Sequence, residues 1–192
     1  HRDEYANDVL LKCDDDIVYF DLDRLAEFIA FRRERREYLL VSANVVNNGV
    51  CAHFQQTMGA LPDWLRCELP PGGLCGSLWS SGTKAEAVHN LFIEQPEAFK
   101  TTAVEPLAWN ERISINFVGL LGEDLVHIPD VTADDEHDLC YGVRKRARKQ
   151  NCIWPQFVAA HLSFWKQDAA MNLPAILGKY HDLAARELAD AA

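Results

Sequence analysis

The sequence lacks the short motifs by which several large enzyme classes are recognised. It has no GxGxxG turn, no phosphate-binding loop of the Walker type, no GxSxG and no HExxH, which argues against dinucleotide-binding oxidoreductases, P-loop NTPases, serine hydrolases and zinc proteases. None of its six cysteines forms a CxxC pair, so a zinc knuckle and a thioredoxin-type site are disfavoured too. No apolar run approaches the roughly 20 residues that a membrane-spanning helix needs.

Positive charge is scarce. The 192 residues include 19 Lys and Arg against 29 Asp and Glu, a formal net charge of −10, which disfavours nucleic acid as a partner. A hydrophobic fraction of 48% is ordinary for a globular chain and excludes extensive disorder. No basic-plus-apolar leader precedes the first strand-like segment, and the chain opens with His1. We expect a piece of a longer polypeptide, with the cytoplasm as the favoured compartment and the Golgi or secretory lumen as the alternative if an anchor precedes it.

Hydrophobic patterning predicts strands alternating with helices in a single domain, residues 1–192. Apolar and β-branched runs predict strands, and helical periodicity with capping signals predicts helices. The predicted strands are 9–13, 38–46, 113–121 and 157–164, and the predicted helices are 22–37, one opening at Thr83-Lys84-Ala85-Glu86, one from Thr132 or Asp134 to the basic residues 144–149, and 173–188. Residues 62–82, rich in proline and glycine, predict a long functional loop or flap. The fold class is therefore α/β, a layered mixed sheet flanked by helices.

Three adjacent aspartates, Asp14, Asp15 and Asp16, end the first predicted strand, and the apolar run 17–20 follows them directly. Adjacent carboxylates repel one another, and Mg²⁺ or Mn²⁺ relieves the repulsion because both ions prefer carboxylate oxygens. On an extended segment Asp14 and Asp16 point to the same side. Both could face one ion, or one could bind the ion and the other a sugar or ribose hydroxyl. The alternative is an acidic turn or helix cap in water, which the apolar flanks disfavour.

A second acidic segment, residues 134–138, has four carboxylates among its five residues. By itself it favours helix capping, because the helix dipole stabilises carboxylates in a first turn and Thr132 and Asp135 have the spacing of a cap. Taken with the triple aspartate, the segment could supply a carboxylate on a second wall of a cleft that contains both acidic groups. Such a group could accept a proton from an acceptor hydroxyl.

Four further side chains are weaker candidates. His161, within an apolar predicted strand, is a third metal ligand only if the aspartates bind an ion, and the commoner role is a hydrogen-bonded core histidine. Trp79, beside the turn 80–82, and Trp109 could be stacking platforms for a sugar, although tryptophans are more often core or loop anchors. Arg144 could pair with phosphate oxygens.

Together these segments resemble a known enzyme group. Residues 12–18 (KCDDDIV) resemble the strand-end DxD segment of nucleotide-sugar-dependent glycosyltransferases of the A-type fold, and residues 135–139 (DEHDL), followed by Arg144, resemble their later ED-x-DL…R segment. The stretches 41–47 (VSANVVN), 113–116 (ISIN) and 161–164 (HLSF) are similar to a group of uncharacterised fungal and bacterial glycosyltransferase-like proteins. The resemblance covers roughly residues 9–167, and the fold it implies is the acceptor-side part of the A-type fold.

The resemblance implies a cofactor and a donor. A Mn²⁺ or Mg²⁺ ion would be held by Asp14 and Asp16, with His161 completing the metal site, and it would bridge the diphosphate of a nucleotide sugar. Asp14, Asp15 and Arg144 would be the residues that bind the donor. The family's nucleotide-binding half precedes DxD, whereas only 13 residues precede Asp14 here. We therefore expect the chain to be the C-terminal portion of such an enzyme.

The resemblance also implies a base and an acceptor site. Glu136 falls where the family has the carboxylate that activates the acceptor hydroxyl, and Asp135 lies beside it. The acceptor would be a carbohydrate, a lipid or a protein, with Trp79 and Trp109 as the candidate contacts.

Two other functional classes stay open. Scattered carboxylates can hold two metal ions about 4 Å apart in a phosphodiesterase or nuclease, although the acidic balance and the lack of a histidine-rich motif count against one. A non-catalytic carbohydrate-binding module derived from the same fold is the other alternative.

Overall fold

A mixed six-stranded sheet lies at the centre of the chain. The computed structural model describes residues 3–69, 76–100 and 105–190. The strands are β1 (Val9–Cys13), β2 (Ile17–Phe20), β3 (Tyr38–Val46), β4 (Leu107–Ala108), β5 (Phe117–Leu121) and β6 (Gln150–His161). Their spatial order is β1-β5-β3-β6-β2, and β4 also pairs with β6. The β3–β6 pair is parallel, whereas all the other pairs are antiparallel.

Helices flank this sheet. They are α1 (Leu22–Glu34), α2 (Gly49–Thr57), α3 (Gly82–Glu94), α4 (Pro96–Phe99), α5 (Asp135–His137), α6 (Arg144–Ala147) and α7 (Leu173–Asp190), with a π-helical segment, Asp138–Val143, joining α5 to α6. Short 3₁₀ turns lie at Asp63–Leu65, Gly122–His127 and Asp168–Ala170. The predicted fold class, α/β with a mixed sheet flanked by helices, is confirmed. No helix in the described part of the chain is long and apolar enough to cross a membrane.

The sheet separates two hydrophobic clusters. Alternate residues of β6 face opposite sides, as the pleat requires: Phe157 and Ala159 join the first cluster, and Val158 and Ala160 the second. The first cluster includes α1 through Phe28, whereas the second collects the apolar faces of α3 and α7. Helices on both faces bury the two parallel strands, which is the usual condition for parallel pairing.

Two predicted strands have different bounds in the structure. The ladder of β5 begins at Phe117 rather than at residue 113, although Ile113 and Ile115 are buried in the first cluster. β6 is longer than predicted and contains Pro155. The register between β6 and β3 jumps at this proline, from Ala43 opposite Trp154 to Asn44 opposite Val158. The proline is tolerated because the irregular ladder does not need the N–H group that proline lacks.

The predicted start of α3 is wrong by two residues. Ser81, not Thr83, caps the helix, and its Oγ accepts a hydrogen bond from Lys84 N (3.3 Å). The predicted flap 62–82 contains a 3₁₀ turn at Asp63–Leu65 and runs into α3, while its middle, residues 70–75, lies outside the described residues. The five described cysteines are free thiols, and Cys75 falls in the part that is not described.

Candidate functional site

The triple aspartate forms a strap, residues 14–16, between β1 and β2. Asp14 N donates to Asn116 O (2.9 Å) and continues the β1–β5 ladder, while Leu162 N donates to Asp16 O (2.9 Å) and continues the β2–β6 ladder. Ile17 N donates to Asp14 O (3.3 Å), so the strap is a tight turn, and it lies at the carboxyl end of β6, level with that of β3. The edge formed by the carboxyl ends of parallel strands is where α/β proteins commonly bind ligands.

Three side chains converge at the strap. Asp14, Asp16 and His161 each offer one ligand atom, and these atoms lie within 4.8 Å of one another. His161 is the last residue of β6, and its Nε2 lies 3.2 Å from Oδ2 of Asp16 and 4.0 Å from Oδ2 of Asp14. Asp15, in the middle of the turn, is exposed and not part of this group; the sequence predicted an extended segment here, whereas a turn brings Asp14 and Asp16 together. We call Asp14, Asp16 and His161 the carboxylate–histidine cluster.

Neighbouring polar groups fix the position of Asp14. Lys12 Nζ donates to the carboxylate of Asp14 and to Ile115 O (2.8 Å). Asn116 Nδ2 donates to Oδ2 of Asp14 (2.9 Å). Asn48 orients that amide by donating to Oδ1 of Asn116 (2.9 Å), while its own Oδ1 caps α2. Asp14 is thus held from β1, from the segment before β5 and, through Asn48, from the end of β3.

The imidazole controls the electrostatics of Asp16. Burial raises the pKa of Asp16, but the hydrogen bond and the charge of His161 outweigh that effect and leave the pKa below its usual value. The His161 ring is almost fully buried and lies 4.4 Å from the ring of Phe164 between centroids. Its Nδ1 is buried without a hydrogen-bond partner among the described residues. Ring packing, rather than a second hydrogen bond, therefore orients His161.

This donor set fits a divalent cation. Ligands of one octahedral ion lie about 3 to 4 Å apart when each metal–ligand distance is about 2.1 Å, which matches the separations of 3.2 and 4.0 Å between His161 and the two carboxylates. Carboxylate oxygens suit Mg²⁺ and Mn²⁺, and an imidazole nitrogen favours Mn²⁺ of the two. That an ion binds here stays a prediction.

The second acidic segment is organised by an arginine. Asp134 caps α5 by accepting from His137 N (2.9 Å), and Arg112 donates to both carboxylate oxygens of Asp134 (2.9 and 3.1 Å) and to Glu136. Asp135 is exposed and accepts from Glu136 N (2.8 Å). Burial raises the pKa of Glu136 above its usual value, although Arg112 opposes the shift. Of the two predicted starts of this helix, Thr132 and Asp134, the structure has Asp134 as the cap, and the expected capping pair of Thr132 with Asp135 is not formed.

One backbone segment connects the two acidic groups, which have no direct contact among the described residues. Residues 112–116 connect them, because Arg112 holds Glu136 and Asn116 holds Asp14. Four residue steps place the Cα atoms of Arg112 and Asn116 at most about 14 Å apart. Among the described residues, no hydrogen bond or ion pair joins Asp135 or Glu136 to the carboxylate–histidine cluster.

Neither Arg144 nor Trp109 is bonded to the cluster among the described residues. Arg144 is the first residue of α6, and its Nε is buried without a hydrogen-bond partner in the described ranges. Trp109 packs edge-to-face on Phe54 at 5.7 Å and donates from Nε1 to Arg112 O (3.2 Å). Trp109 thus anchors the segment that carries Arg112, which is the structural role that the sequence left open for it.

Trp79 lies nearer to the cluster. Its ring is 6.5 Å from Phe164, the residue that packs on His161, and 6.1 Å from Trp165. Trp165 was not predicted, although it directly follows the HLSF stretch. Lys12 and Asn116 were also missed as site members, despite lying within the KCDDDIV and ISIN stretches. No local pattern reveals these residues, because their partners are distant in sequence.

The comparisons with known proteins add no family. No family model, no curated protein and no solved structure matches this chain. The function is therefore argued from the geometry of the site.

Proposed function

We propose that the chain is the acceptor-side part of a metal-dependent glycosyltransferase of the A-type fold, which moves a sugar from a nucleotide-sugar donor to an acceptor hydroxyl. The observation that carries the proposal is the convergence of Asp14, Asp16 and His161 at the carboxyl ends of β3 and β6. The resemblance of residues 12–18 and 135–139 to segments of these enzymes supports the same assignment.

The chain's own residues supply a binding site for an anionic donor. Asp14, Asp16 and His161 would hold Mn²⁺ or Mg²⁺, with Asn116 orienting Asp14. When bound, the ion would neutralise charge on a diphosphate leaving group. Lys12 contacts the same carboxylate, so its ammonium group offers a further positive charge to a phosphate oxygen. Three protein ligands leave coordination positions for the substrate.

Glu136 is the candidate base. Arg112 holds its Oε1, which restrains the carboxylate, and partial burial makes the group more basic than an exposed glutamate. A carboxylate of raised pKa accepts a proton from a hydroxyl more readily. In this proposal the acceptor lies between Glu136 and the cluster, which residues 112–116 connect.

The described residues favour this reaction over a two-metal phosphodiesterase. A two-metal centre needs carboxylates that surround ions about 4 Å apart. The cluster has two carboxylates, and the other candidates, Asp134 and Glu136, are bonded to Arg112. A guanidinium in that position occupies the oxygens that a second ion would need.

Calorimetric titration with Mn²⁺ tests the centre directly. We expect the chain to bind Mn²⁺, and Asp16→Asn to weaken binding by about a hundredfold or more, since a charged ligand is replaced by a neutral one. Asp182→Asn, the same change at an exposed position of α7, is the matched control and should bind like wild type. Equal affinity in wild type and Asp16→Asn would refute the site.

A second titration tests the reaction class. In the native full-length protein, we expect nucleoside diphosphates to raise the melting temperature only with Mn²⁺ present, and Asp16→Asn to abolish that protection. Metal-dependent cleavage of a generic phosphodiester would instead identify a phosphodiesterase. A melting temperature that neither metal nor nucleotide changes would identify a non-catalytic module.

A further inference from the structure

Two indole rings meet at a right angle near the carboxylate–histidine cluster. The rings of Trp79 and Trp165 lie 6.1 Å apart and are perpendicular, with an interplanar angle of 89°. Trp165 is 72% exposed, and Trp79 is partly exposed. The ammonium group of Lys166 lies 5.4 Å from the first ring and 4.7 Å from the second. We call Trp79, Trp165 and Lys166 the aromatic corner.

A buried glutamine joins the two segments of this corner. Gln167 is fully buried, and its Nε2 donates to Leu78 O (2.9 Å) and Asn47 Oδ1 (3.0 Å), while its Oε1 accepts from Phe164 N (2.8 Å). Leu78 is next to Trp79, and Phe164 is next to Trp165. One side chain therefore holds together the two backbone segments that carry the indoles, which reduces the cost of bringing the rings together for a ligand.

A close helix contact supports the same turn. A Cβ on Gly82, the first residue of α3, would lie 2.4 Å from Gln167 O and 2.9 Å from Ala170 Cβ. Only glycine therefore allows α3 to approach the turn this closely. The segment before α3, which contains Trp79, is thus packed directly against the turn that follows Trp165.

The same polar network reaches the cluster. Asn47 adopts a left-handed conformation (φ 63°) at the end of β3, where asparagine is tolerated, and bonds to Gln167. The next residue, Asn48, bonds to Asn116, which holds Asp14. The ring of Phe164 lies between His161 (4.4 Å) and Trp79 (6.5 Å). The aromatic corner and the cluster therefore share one frame.

We propose that the aromatic corner binds a pyranose ring of a saccharide. A second part of the proposal rests on the proposed function: this saccharide is the acceptor substrate. An indole face packs on the C–H face of a sugar, and the ammonium group of Lys166 can donate to its hydroxyls. Two indoles offer at most about 500 Å², less than the roughly 800 Å² per partner of a stable protein interface. A perpendicular corner cannot sandwich a flat base as a stacking platform does, so a puckered ring fits it better.

Fluorine NMR of the fluorotryptophan-labelled chain tests this assignment. Its five tryptophans give resonances that single substitutions assign, and the probes are cellotetraose, chitotetraose, mannotetraose and galactotetraose at millimolar concentration. We expect at least one probe to shift the Trp79 and Trp165 resonances and to leave the buried Trp154 unchanged. If no saccharide probe shifts these two resonances, the proposal is overturned. It is also overturned if uridine monophosphate or guanosine monophosphate shifts them and no saccharide does.

Matched variants sharpen the test. Trp165→Ala should weaken saccharide binding by on the order of tenfold, whereas Trp64→Ala should not change it. Trp64 is 71% exposed, nearly the same as Trp165, and no aromatic contact joins it to the corner in the described ranges. Equal affinities in wild type and Trp165→Ala would overturn the site.

Removing the metal distinguishes this inference from the proposed function. Saccharide binding at the corner should persist in EDTA and in Asp16→Asn, because neither change touches the indoles. If saccharide binding persists but wild type does not bind Mn²⁺, the corner is a carbohydrate site and the proposed metal-dependent function is rejected. Mn²⁺ binding without any shift at Trp79 or Trp165 would keep the metal centre and reject the corner.

Discussion

The carboxylate–histidine cluster and the acidic segment 134–138 compensate their negative charge by different means. In the segment, Arg112 bonds to Asp134 and Glu136, and Arg146 bonds to Asp138 (2.8 Å). In the cluster, the two aspartates Asp14 and Asp16 face one lysine, Lys12, and one imidazole, His161. Guanidinium groups hold the segment, and the contact of Arg112 with Asp134 is bidentate. The cluster is held by a flexible ammonium group and a ring that is charged only when protonated.

The difference shows that the partner, not the number of acidic residues, decides what an acidic segment can do. A guanidinium matches carboxylate geometry and keeps its charge at every accessible pH, so it makes an added cation unnecessary. Lys12 and His161 compensate the charge of Asp14 and Asp16 less completely, so these carboxylates are still able to bind a divalent ion. Four predictions test this contrast, from the largest expected effect to the smallest.

Glu136→Gln should have the largest effect. If Glu136 is the base, turnover of the native full-length enzyme should fall on the order of a thousandfold, while the dissociation constant of the donor stays unchanged. Steady-state kinetics and a donor titration measure the two quantities separately. A loss of donor affinity with little loss of turnover would assign Glu136 to donor binding.

Acid should weaken the frame of the cluster through His89. This buried side chain contacts Tyr180 Oη (2.7 Å) and the carbonyl of Leu162 (2.9 Å), next to His161. Burial lowers the pKa of His89 to about 4, against about 6.5 in the unfolded chain. The unfolded state therefore takes up a proton first as the pH falls, and stability is lost between pH 6.5 and 4, by up to about 3 kcal/mol.

Denaturant unfolding across that pH range measures the effect. His89→Gln should flatten the decline in unfolding free energy, whereas His181→Gln, at an exposed position of α7, should reproduce the wild-type slope. A wild-type slope retained in His89→Gln would show that another group is responsible.

Arg112→Met should destabilise the fold by about 2 kcal/mol, because the partly buried Glu136 loses its charge partner. Mn²⁺ affinity should be unaffected, since the cluster has its own partners. Adding Glu136→Gln to Arg112→Met should recover part of the lost stability, as coupled residues are not additive. Weaker Mn²⁺ binding in Arg112→Met would show that the two acidic groups form one site.

Asn116→Ala should weaken Mn²⁺ binding by about tenfold, the usual effect of removing a side chain that orients a metal ligand. Asp15→Asn, which changes a charge in the strap but not in the cluster, should have a smaller effect. The opposite order in calorimetric titrations would make Asp15 a ligand and the contact of Asn116 irrelevant.

The sequence was sufficient for the elements that a local pattern determines. The strands 9–13 and 38–46 were predicted with their observed bounds, because mainly apolar runs end there, the first at the aspartates and the second at the left-handed Asn47. The ladder of β6 could not be predicted to include Pro155, since it depends on a register jump opposite β3. The start of α3 was predicted two residues late, because Ser81 and Thr83 both offer a hydroxyl group that can cap a helix.

The site was predictable in its charges but not in its partners. The strand-end position of Asp14 and Asp16 indicated which side chains could meet an ion. The pairing of Arg112 with Glu136 spans 24 residues, and that of Asn48 with Asn116 spans 68. Contacts of this kind follow from topology, and composition or spacing does not reveal them.

The strap also limits how the chain can vary. Its three aspartates form a tight turn, which Ile17 N closes by donating to Asp14 O (3.3 Å), although β1 and β2 are the two ends of the strand order and no ladder joins them among the described residues. A turn of this kind holds the Cα atoms of its first and fourth residues within about 7 Å. The tolerance of this connection to a change in length is therefore set by backbone geometry, and we expect deletion of one aspartate to separate β1 from β2 before any question of charge arises.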